Sequence, residues 1–147
     1  MAQQSPKPNK GLPAIEVRNL QRGIAVNLRH LRSFAGRALR CCSEGSIQQF
    51  EEIVVLLISD QRMAQLHRRF MNQSGPTDVI TFQHGEIFIS VPTAKRQGRE
   101  FGTSTLAEIE LYVVHGLLHL SGFDDRTPVS RRRMRAAEAR VLRNAAV

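Results

Sequence analysis

The residues of this chain best placed to do chemistry are two histidines in the segment His115-Gly-Leu-Leu-His119-Leu-Ser-Gly-Phe-Asp-Asp125. Residues four apart lie on one face of a helix, so both imidazoles can reach the same ion. Gly122 offers a helix stop, after which the chain can turn back and bring Asp124 or Asp125 to that ion as a third ligand. Two histidines and one carboxylate, with a coordination position left open, are the ligand set of a hydrolytic zinc site.

The alternative for these histidines is a role in the core, where a single buried imidazole is usually satisfied by a backbone carbonyl. Two imidazoles beside two carboxylates are costly to bury unless they are paired or bound to a metal, so the pattern favours metal binding. Gly116 argues against a metallopeptidase. In His-Glu-x-x-His metallopeptidases the glutamate after the first histidine is the general base, and here that position is a glycine, which cannot act as one. A glycine inside a helix costs about 1 kcal/mol relative to alanine, which indicates close substrate approach or a tight helix-to-sheet contact.

The length of 147 residues suits one core and is too short for two ordinary domains. We predict a flexible N-terminal tail at residues 1–13 and a single hydrolase domain at residues 14–147. Cys41 and Cys42 are adjacent, a spacing that fits neither a disulfide nor a paired-cysteine metal motif. No apolar run approaches the roughly 20 residues of a membrane span, and the N-terminus lacks the apolar core of a signal peptide. A soluble cytoplasmic protein is therefore expected.

The net charge of +8 is concentrated at the two ends of the chain. Residues 1–42 and 126–147 are basic and contain one acidic residue each, Glu16 and Glu138, whereas residues 43–125 are acidic. Arginine predominates, and its planar guanidinium suits bidentate phosphate contacts, so RNA is the partner that this distribution favours. The alternative is a solvated basic face that keeps the protein soluble. The arginines predicted to contact RNA are Arg29, Arg32, Arg37 and Arg40.

Hydrophobic patterning predicts an α+β fold, a small mixed sheet of about four strands packed with helices, with the metal site on a buried helix. The segment 92–102 is predicted to be a loop or partial helix, and residues 74–76 a turn. In the sheet, strand 53–58 is expected to be central, and strand 86–91 to be an edge strand that lines the cleft. Strands are predicted at 14–20, 53–58, 77–82 and 86–91, the last two forming a hairpin. Helices are predicted at 28–42, at 60–70 with Asp60 as cap, after a capping box at Thr105–Glu108, and from Thr127-Pro128 toward Asn144.

Three motifs in order resemble the YbeY family of metal-dependent endoribonucleases. They are His115-x-x-x-His119-x-x-x-x-x-Asp125, Pro76-Thr-Asp-Val-Ile-Thr-Phe82 and Gly85-Glu-Ile-Phe-Ile89. The similarity extends from about Ile53 to Asp125. The resemblance implies a small α/β protein with a zincin-like metal site that acts in ribosomal RNA maturation and ribosome quality control.

Two positions depart from the family pattern. Asp125 stands where the family has its third ligand, a histidine. A carboxylate can also ligate zinc, but its negative charge weakens a bound ion as a Lewis acid. Compared with a histidine, it favours metals other than zinc. Met71 stands where the family has an arginine that, by the resemblance, faces the metal cleft and handles phosphate.

The predicted function is a single-strand-type endoribonuclease of ribosomal RNA processing and ribosome maturation. We expect one Zn²⁺, or another divalent metal, at His115, His119 and Asp125, with either a metal-activated water or a ribose hydroxyl attacking an RNA phosphodiester. Ribosomal RNA or ribosomal particles are the expected partners. The alternative is a catalytically weak assembly factor that binds RNA or the ribosome and holds a structural metal. A metallopeptidase is disfavoured by Gly116.

Overall fold

The computed structural model describes residues 11–42, 45–71 and 77–146. The predicted turn at 74–76 lies outside these ranges, as does most of the predicted N-terminal tail. The strands of the protein are β1 (Ala14–Asn19), β2 (Glu52–Ile58), β3 (Val79–Phe82) and β4 (Glu86–Ser90). Its helices are α1 (Leu28–Cys41), α2 (Asp60–Met71), α3 (Val91–Phe101), α4 (Thr105–Leu120) and α5 (Pro128–Ala145), with a 3-10 turn at Gly45–Gln49. Within the described ranges no helix is both long enough and apolar enough to cross a membrane.

The four strands form one mixed sheet in the order β1-β2-β4-β3. β1 and β4 pair in parallel with β2, and β3 pairs antiparallel with β4 as the predicted hairpin requires. The apolar run of β2 lies in the sheet interior, which confirms its predicted central place. The predicted edge position of strand 86–91 is wrong. β4 pairs with β2 on one side and with β3 on the other, so the edge strands are β1 and β3.

Helices cover both faces of the sheet, and the larger core lies under α4. Helix α4 contacts β3 and β4 and packs against α1, α3 and α5. One side of α1 is buried through Leu31, Ala35, Ala38 and Leu39, and α5 buries a stripe of Met134, Ala137 and Val141. On the opposite face, Met63 of α2 packs on Leu56, Ile58 and Ile80 in a smaller cluster. This arrangement confirms the predicted α+β class and holds α4 rigidly on the sheet.

Two helices begin with caps other than those predicted. Ser59, rather than Asp60, caps α2 by accepting the backbone N–H of Arg62 at 3.2 Å. Ser104, rather than Thr105, caps α4 by accepting the N–H of Ala107 at 3.0 Å. In both cases a serine one residue earlier supplies the hydroxyl that accepts the backbone N–H. Helix α5 begins where Thr127-Pro128 predicts, and Thr127 caps it by accepting the N–H of Ser130 at 3.0 Å.

The segment predicted as a loop or partial helix is a full helix, α3. Ser90 caps it by accepting the N–H of Thr93 at 3.2 Å, and Pro92 lies in the first turn, where its missing N–H costs nothing. Gly102 ends it in the left-handed conformation at φ 73°. The polar composition concealed this helix because only a narrow stripe, which includes Ala94 and Gly98, is buried.

Gly116 permits a close approach between α4 and the sheet. A Cβ atom at this position would lie 2.7 to 2.9 Å from three side-chain atoms of Ile87 on β4. Ile87 is fully buried and β-branched, so its side chain has little room to move. Of the two reasons considered for this glycine, the tight helix-to-sheet contact is the one that the structure supports.

We therefore expect Gly116→Ala to lower the free energy of unfolding by about 1 kcal/mol. Overpacking a core costs about 1–3 kcal/mol, whereas the gain in helix propensity is about 1 kcal/mol. Urea unfolding measures the change. In an Ile87→Ala background the clash is gone, so the same substitution should be neutral or stabilising. An equal loss in both backgrounds would contradict the assigned contact.

Asp60 joins the start of α2 to the start of α3. Its carboxylate accepts from the Ser90 hydroxyl at 2.7 Å and the Thr93 hydroxyl at 3.0 Å, and it forms a 2.7 Å ion pair with Arg96. Burial alone would raise the pKa of Asp60, but the hydrogen bonds from Arg96, Ser90 and Thr93 outweigh it and lower the pKa. The native state therefore prefers the ionised carboxylate.

Asp60→Asn is expected to lower the free energy of unfolding at neutral pH by about 1–2 kcal/mol, the range for charge-assisted hydrogen bonds at a partly exposed site. Because the native pKa is depressed, this stabilisation is present above the unfolded-state pKa of about 3.9 and is lost as pH falls through the lower native value. Urea titrations at neutral and acidic pH should show the difference between wild type and variant shrinking with acid. Glu100→Gln, an exposed carboxylate on α3, serves as the control and should change little.

Candidate metal centre

The three predicted ligands come together at the C-terminal end of α4. The Nε2 atoms of His115 and His119 are 3.0 Å apart. The Oδ2 atom of Asp125 lies 3.8 Å from the first and 3.9 Å from the second. Ligands of a tetrahedral zinc ion at bond lengths near 2.05 Å are about 3.3 Å apart, so small side-chain movements would seat all three on one ion. These residues thus form a possible metal-binding site.

The other nitrogen of each imidazole is already bonded. His115 Nδ1 lies 2.6 Å from Oε1 of Glu138 on α5, and His119 Nδ1 lies 3.1 Å from the carbonyl oxygen of Phe123. Both partners can only accept, so in the neutral imidazoles these partners place the proton on Nδ1. Such outer contacts are how proteins orient metal-binding histidines.

This arrangement leaves two Nε2 lone pairs facing each other. Two acceptor atoms 3.0 Å apart repel unless a proton or a cation lies between them. Burial, followed by the neighbouring His115, lowers the pKa of His119, and the opposite effect of Asp125 is smaller. A neutral imidazole is the form that binds metals. The residues present therefore fit a divalent cation.

The turn after α4 brings Asp125, rather than Asp124, close to the two histidines. Gly122 adopts φ 106°, and the N–H of Phe123 donates to the carbonyl of Leu118 at 3.0 Å, which reverses the chain as the helix-stop prediction requires. Asp124 then accepts the N–H of Arg126 at 3.0 Å, a bond that lowers the pKa of Asp124. It is Asp125, not Asp124, whose carboxylate groups with the two histidines.

The three residues lie in a cleft of about 560 Å³ between α4, β3 and α5. A volume of this size is typical of small-ligand sites. Met71 lines the cleft, as expected for the position where the family has an arginine. The edge strand β3 forms one wall of the cleft. The sequence predicted this role for strand 86–91, which is β4. The lining residues are Met71, Thr77, Asp78, Val79, Ile80, Thr81, Gln83, Leu111, Tyr112, His115, His119, Asp125 and Glu138.

None of the four predicted RNA-binding arginines is among the residues that line this cleft. Arg32 donates to the carbonyl of Val17 at 3.3 Å, and Arg37 donates to the carbonyl of Ala145 at 2.7 Å. Arg29 and Arg40 are exposed on α1. Their contact with RNA stays a prediction, and two of the four also support the fold.

Glu138 joins the site although no motif in the sequence assigns it there. It is the single acid of the basic segment 126–147, and that isolation is the signal the sequence offers. A lone carboxylate among arginines indicates a specific partner, but nothing in the local pattern identifies His115, which is 23 positions away on another helix.

A mixed sheet that carries a buried helix with two histidines, followed by a turn with an aspartate, defines a small α+β protein with a possible metal-binding site at the end of that helix. The chain matches the family model described as Endoribonuclease YbeY over residues 16–146. It belongs to that family, which confirms the prediction from the three motifs.

Curated relatives and one solved structure agree with this assignment. The protein named Endoribonuclease YbeY of Heliobacterium modesticaldum is 35% identical over 129 residues, 73% of this chain and 78% of its own. That of Salinispora tropica is 33% identical over 151 residues, 88% of this chain and 94% of its own. A protein from Thermotoga maritima with a solution structure superposes with a TM-score of 0.64 at 22% identity, covering 89% of this chain and 88% of the other, and supports the fold.

Proposed function

We propose that this chain is a metal-dependent endoribonuclease that cleaves single-stranded regions of ribosomal RNA in the cytoplasm during ribosome maturation. The observation that carries the proposal is the pair of facing Nε2 atoms beside Asp125 in an open cleft. Membership in a family whose relatives are named endoribonucleases supports RNA as the substrate.

The residues that would hold the ion are His115, His119 and Asp125. When bound, a divalent ion, for which we propose zinc, polarises a phosphoryl oxygen and lowers the pKa of a water toward about 7. Glu138 fixes the His115 ring through Nδ1, and the Phe123 carbonyl fixes the His119 ring. Asp125, whose side chain is 49% exposed, would supply the third ligand from the solvent side of the site. The protein thus supplies a preorganised ligand set with one side open to the cleft.

RNA must reach this cleft by contacts made outside it. No lysine or arginine belongs to the described lining, whereas Asp78, Asp125 and Glu138 do. We propose that exposed arginines on α1 and on α5 hold the RNA phosphates around the rim. That arrangement places positive charge around the cleft and negative charge within it.

A second candidate function is an RNA-binding assembly factor with weak nuclease activity and a structural metal. Met71 favours it, because a methionine at the cleft wall cannot neutralise a phosphate in the transition state. Asp125 favours it as well, because its negative charge reduces the Lewis acidity of a bound ion.

Cleavage of RNA by the metal-loaded protein separates these functions. Wild type, freed of contaminating nucleases, should cut single-stranded RNA, and His115→Ala should lose at least about 100-fold of that rate while keeping RNA affinity. His30→Ala removes an exposed imidazole paired with Glu110 outside the cleft and is the matched control. Equal cleavage by wild type and His115→Ala would exclude the enzyme, whereas RNA binding without cleavage by wild type would favour the assembly factor.

A further inference from the structure

Four aromatic rings form an aromatic cluster at one end of the sheet, on the face that α2 covers. They belong to Phe70 at the end of α2, Phe82 on β3, His84 in the hairpin turn and Phe88 on β4. The Phe82 ring is central, with its centroid 5.2 Å from that of Phe70 and 5.6 Å from those of the other two. Phe82 and Phe88 are partly buried against the smaller core cluster, so they anchor the group.

The two outer rings of the aromatic cluster face solvent. Phe70 is 54% exposed, and the side chain of His84 is 67% exposed. Single exposed apolar residues are common on soluble proteins, whereas adjoining exposed rings mark a surface that binds something. The aromatic cluster is therefore a candidate binding surface.

This surface adjoins the cleft of the candidate metal centre at two points. Met71 lines the cleft and directly follows Phe70. Gln83 also lines the cleft and lies between Phe82 and His84. An RNA strand that leaves the cleft across this rim therefore meets the exposed rings.

The charges beside the rings separate a place for phosphates from a place for bases. Arg68 and Arg69 are exposed in the last turn of α2, and the guanidinium carbon of Arg69 lies 5.4 Å from the centroid of the Phe70 ring. The carboxylate of Glu86 contacts the imidazole of His84 and would repel a phosphate there. A phosphate is thus favoured at the arginines, and a neutral base is favoured at the rings.

We propose that Phe70 and His84 are stacking surfaces for the bases of a single-stranded RNA segment that extends out of the cleft, with Arg69 holding a neighbouring phosphate. The proposal rests on RNA being the substrate. Aromatic rings beside arginines hold single strands with little sequence preference, because every base presents a π face. In a duplex the bases are stacked on one another and are not free to leave for a protein ring. This surface would thus favour single-stranded over double-stranded RNA.

Tryptophan fluorescence tests the stacking directly, because the chain contains no tryptophan. The probe is 2′-O-methyl oligoadenylate, whose 2′-hydroxyl groups are blocked and whose integrity a gel checks after the titration. Metal-loaded Phe70→Trp should lose fluorescence saturably as a base stacks on the indole. Phe101→Trp replaces a 66% exposed ring outside the cleft lining, so it is the matched control and should keep its fluorescence.

Affinities separate the contribution of the bases from that of the phosphates. Wild type should bind oligoadenylate more tightly than an abasic 2′-O-methyl oligomer of the same length and charge. Phe70→Leu should weaken oligoadenylate binding about five- to tenfold and leave binding of the abasic oligomer unchanged. Arg69→Gln should weaken both and lower the salt dependence by about one phosphate contact. Arg99→Gln removes an exposed arginine on α3 and should change little.

The results distinguish this surface from the proposed function. Equal affinities of wild type for the two oligomers, binding of neither, or a Phe70→Trp signal that is unchanged at saturation would overturn the stacking surface and leave a protein as the partner of the exposed rings. Base-dependent binding that Phe70→Leu loses, in a protein that cleaves no RNA, would overturn the nuclease and leave the stacking surface standing. Cleavage of RNA without base-dependent binding would overturn the stacking surface alone.

Discussion

His119→Ala is expected to abolish stoichiometric metal binding, from about one divalent ion per wild-type chain to essentially none after dialysis. A structural zinc site is worth about 10–16 kcal/mol, and removing one of three protein ligands should cost about a third of that, or roughly a thousandfold in affinity. Among the described residues, the ligand atoms grouped at this site belong to His115, His119 and Asp125, so no further histidine or carboxylate of that group replaces the lost imidazole. Elemental analysis of purified protein measures the loss.

His30→Ala is the matched control for this experiment. His30 is an exposed imidazole with a carboxylate partner, Glu110 at 3.0 Å, and it lies outside the cleft. Its removal should leave the metal content unchanged. Equal metal content in wild type and His119→Ala would refute the site.

The same measurement assigns the third ligand. Asp125→Ala should weaken metal binding strongly, because its Oδ2 lies within 3.9 Å of both Nε2 atoms. Asp124→Ala should keep the metal and lose the turn contacts with Arg126 and Ser130. The reverse result would show that the turn rearranges when an ion binds and that Asp124 becomes the ligand.

The site could be predicted as far as local spacing determines it. His115 and His119 are one helical turn apart, and Gly122 ends the helix, so their approach to an ion follows from backbone geometry. In the turn that separates Asp125 from Asp124, Asp124 accepts the N–H of Arg126, two residues further on. Asp125 could make the same kind of contact with the N–H of Thr127, so the sequence alone does not choose between the two carboxylates.

Features that depend on tertiary packing were less predictable. Strand 86–91 was expected at an edge, yet pairing with both β2 and β3 places it inside the sheet. The polar helix α3 has a narrow buried stripe, and its serine cap lies in the preceding strand. Pairing among parallel strands and helix-to-helix contacts join residues far apart in sequence, so short-range patterns do not determine them.

Glu138→Gln is expected to lower metal affinity by about 10- to 100-fold while leaving all three metal ligands in place. Glu138 Oε1 lies 2.6 Å from His115 Nδ1, and its side chain is only 16% exposed. Glutamine keeps the shape and can still accept the imidazole proton, but it removes the charge that makes the ring a stronger ligand. A competition titration with a zinc-binding dye measures the shift.

Glu110→Gln provides the matched comparison, because Glu110 makes a similar carboxylate–imidazole pair with His30. That pair has no second histidine or aspartate grouped with it among the described residues, so its neutralisation should leave metal affinity unchanged. Equal affinities for wild type and Glu138→Gln would show that the contact only supports the packing of α5 on α4. A loss confined to Glu138→Gln would show that the carboxylate acts on the ion through His115, which makes α5 part of the metal centre.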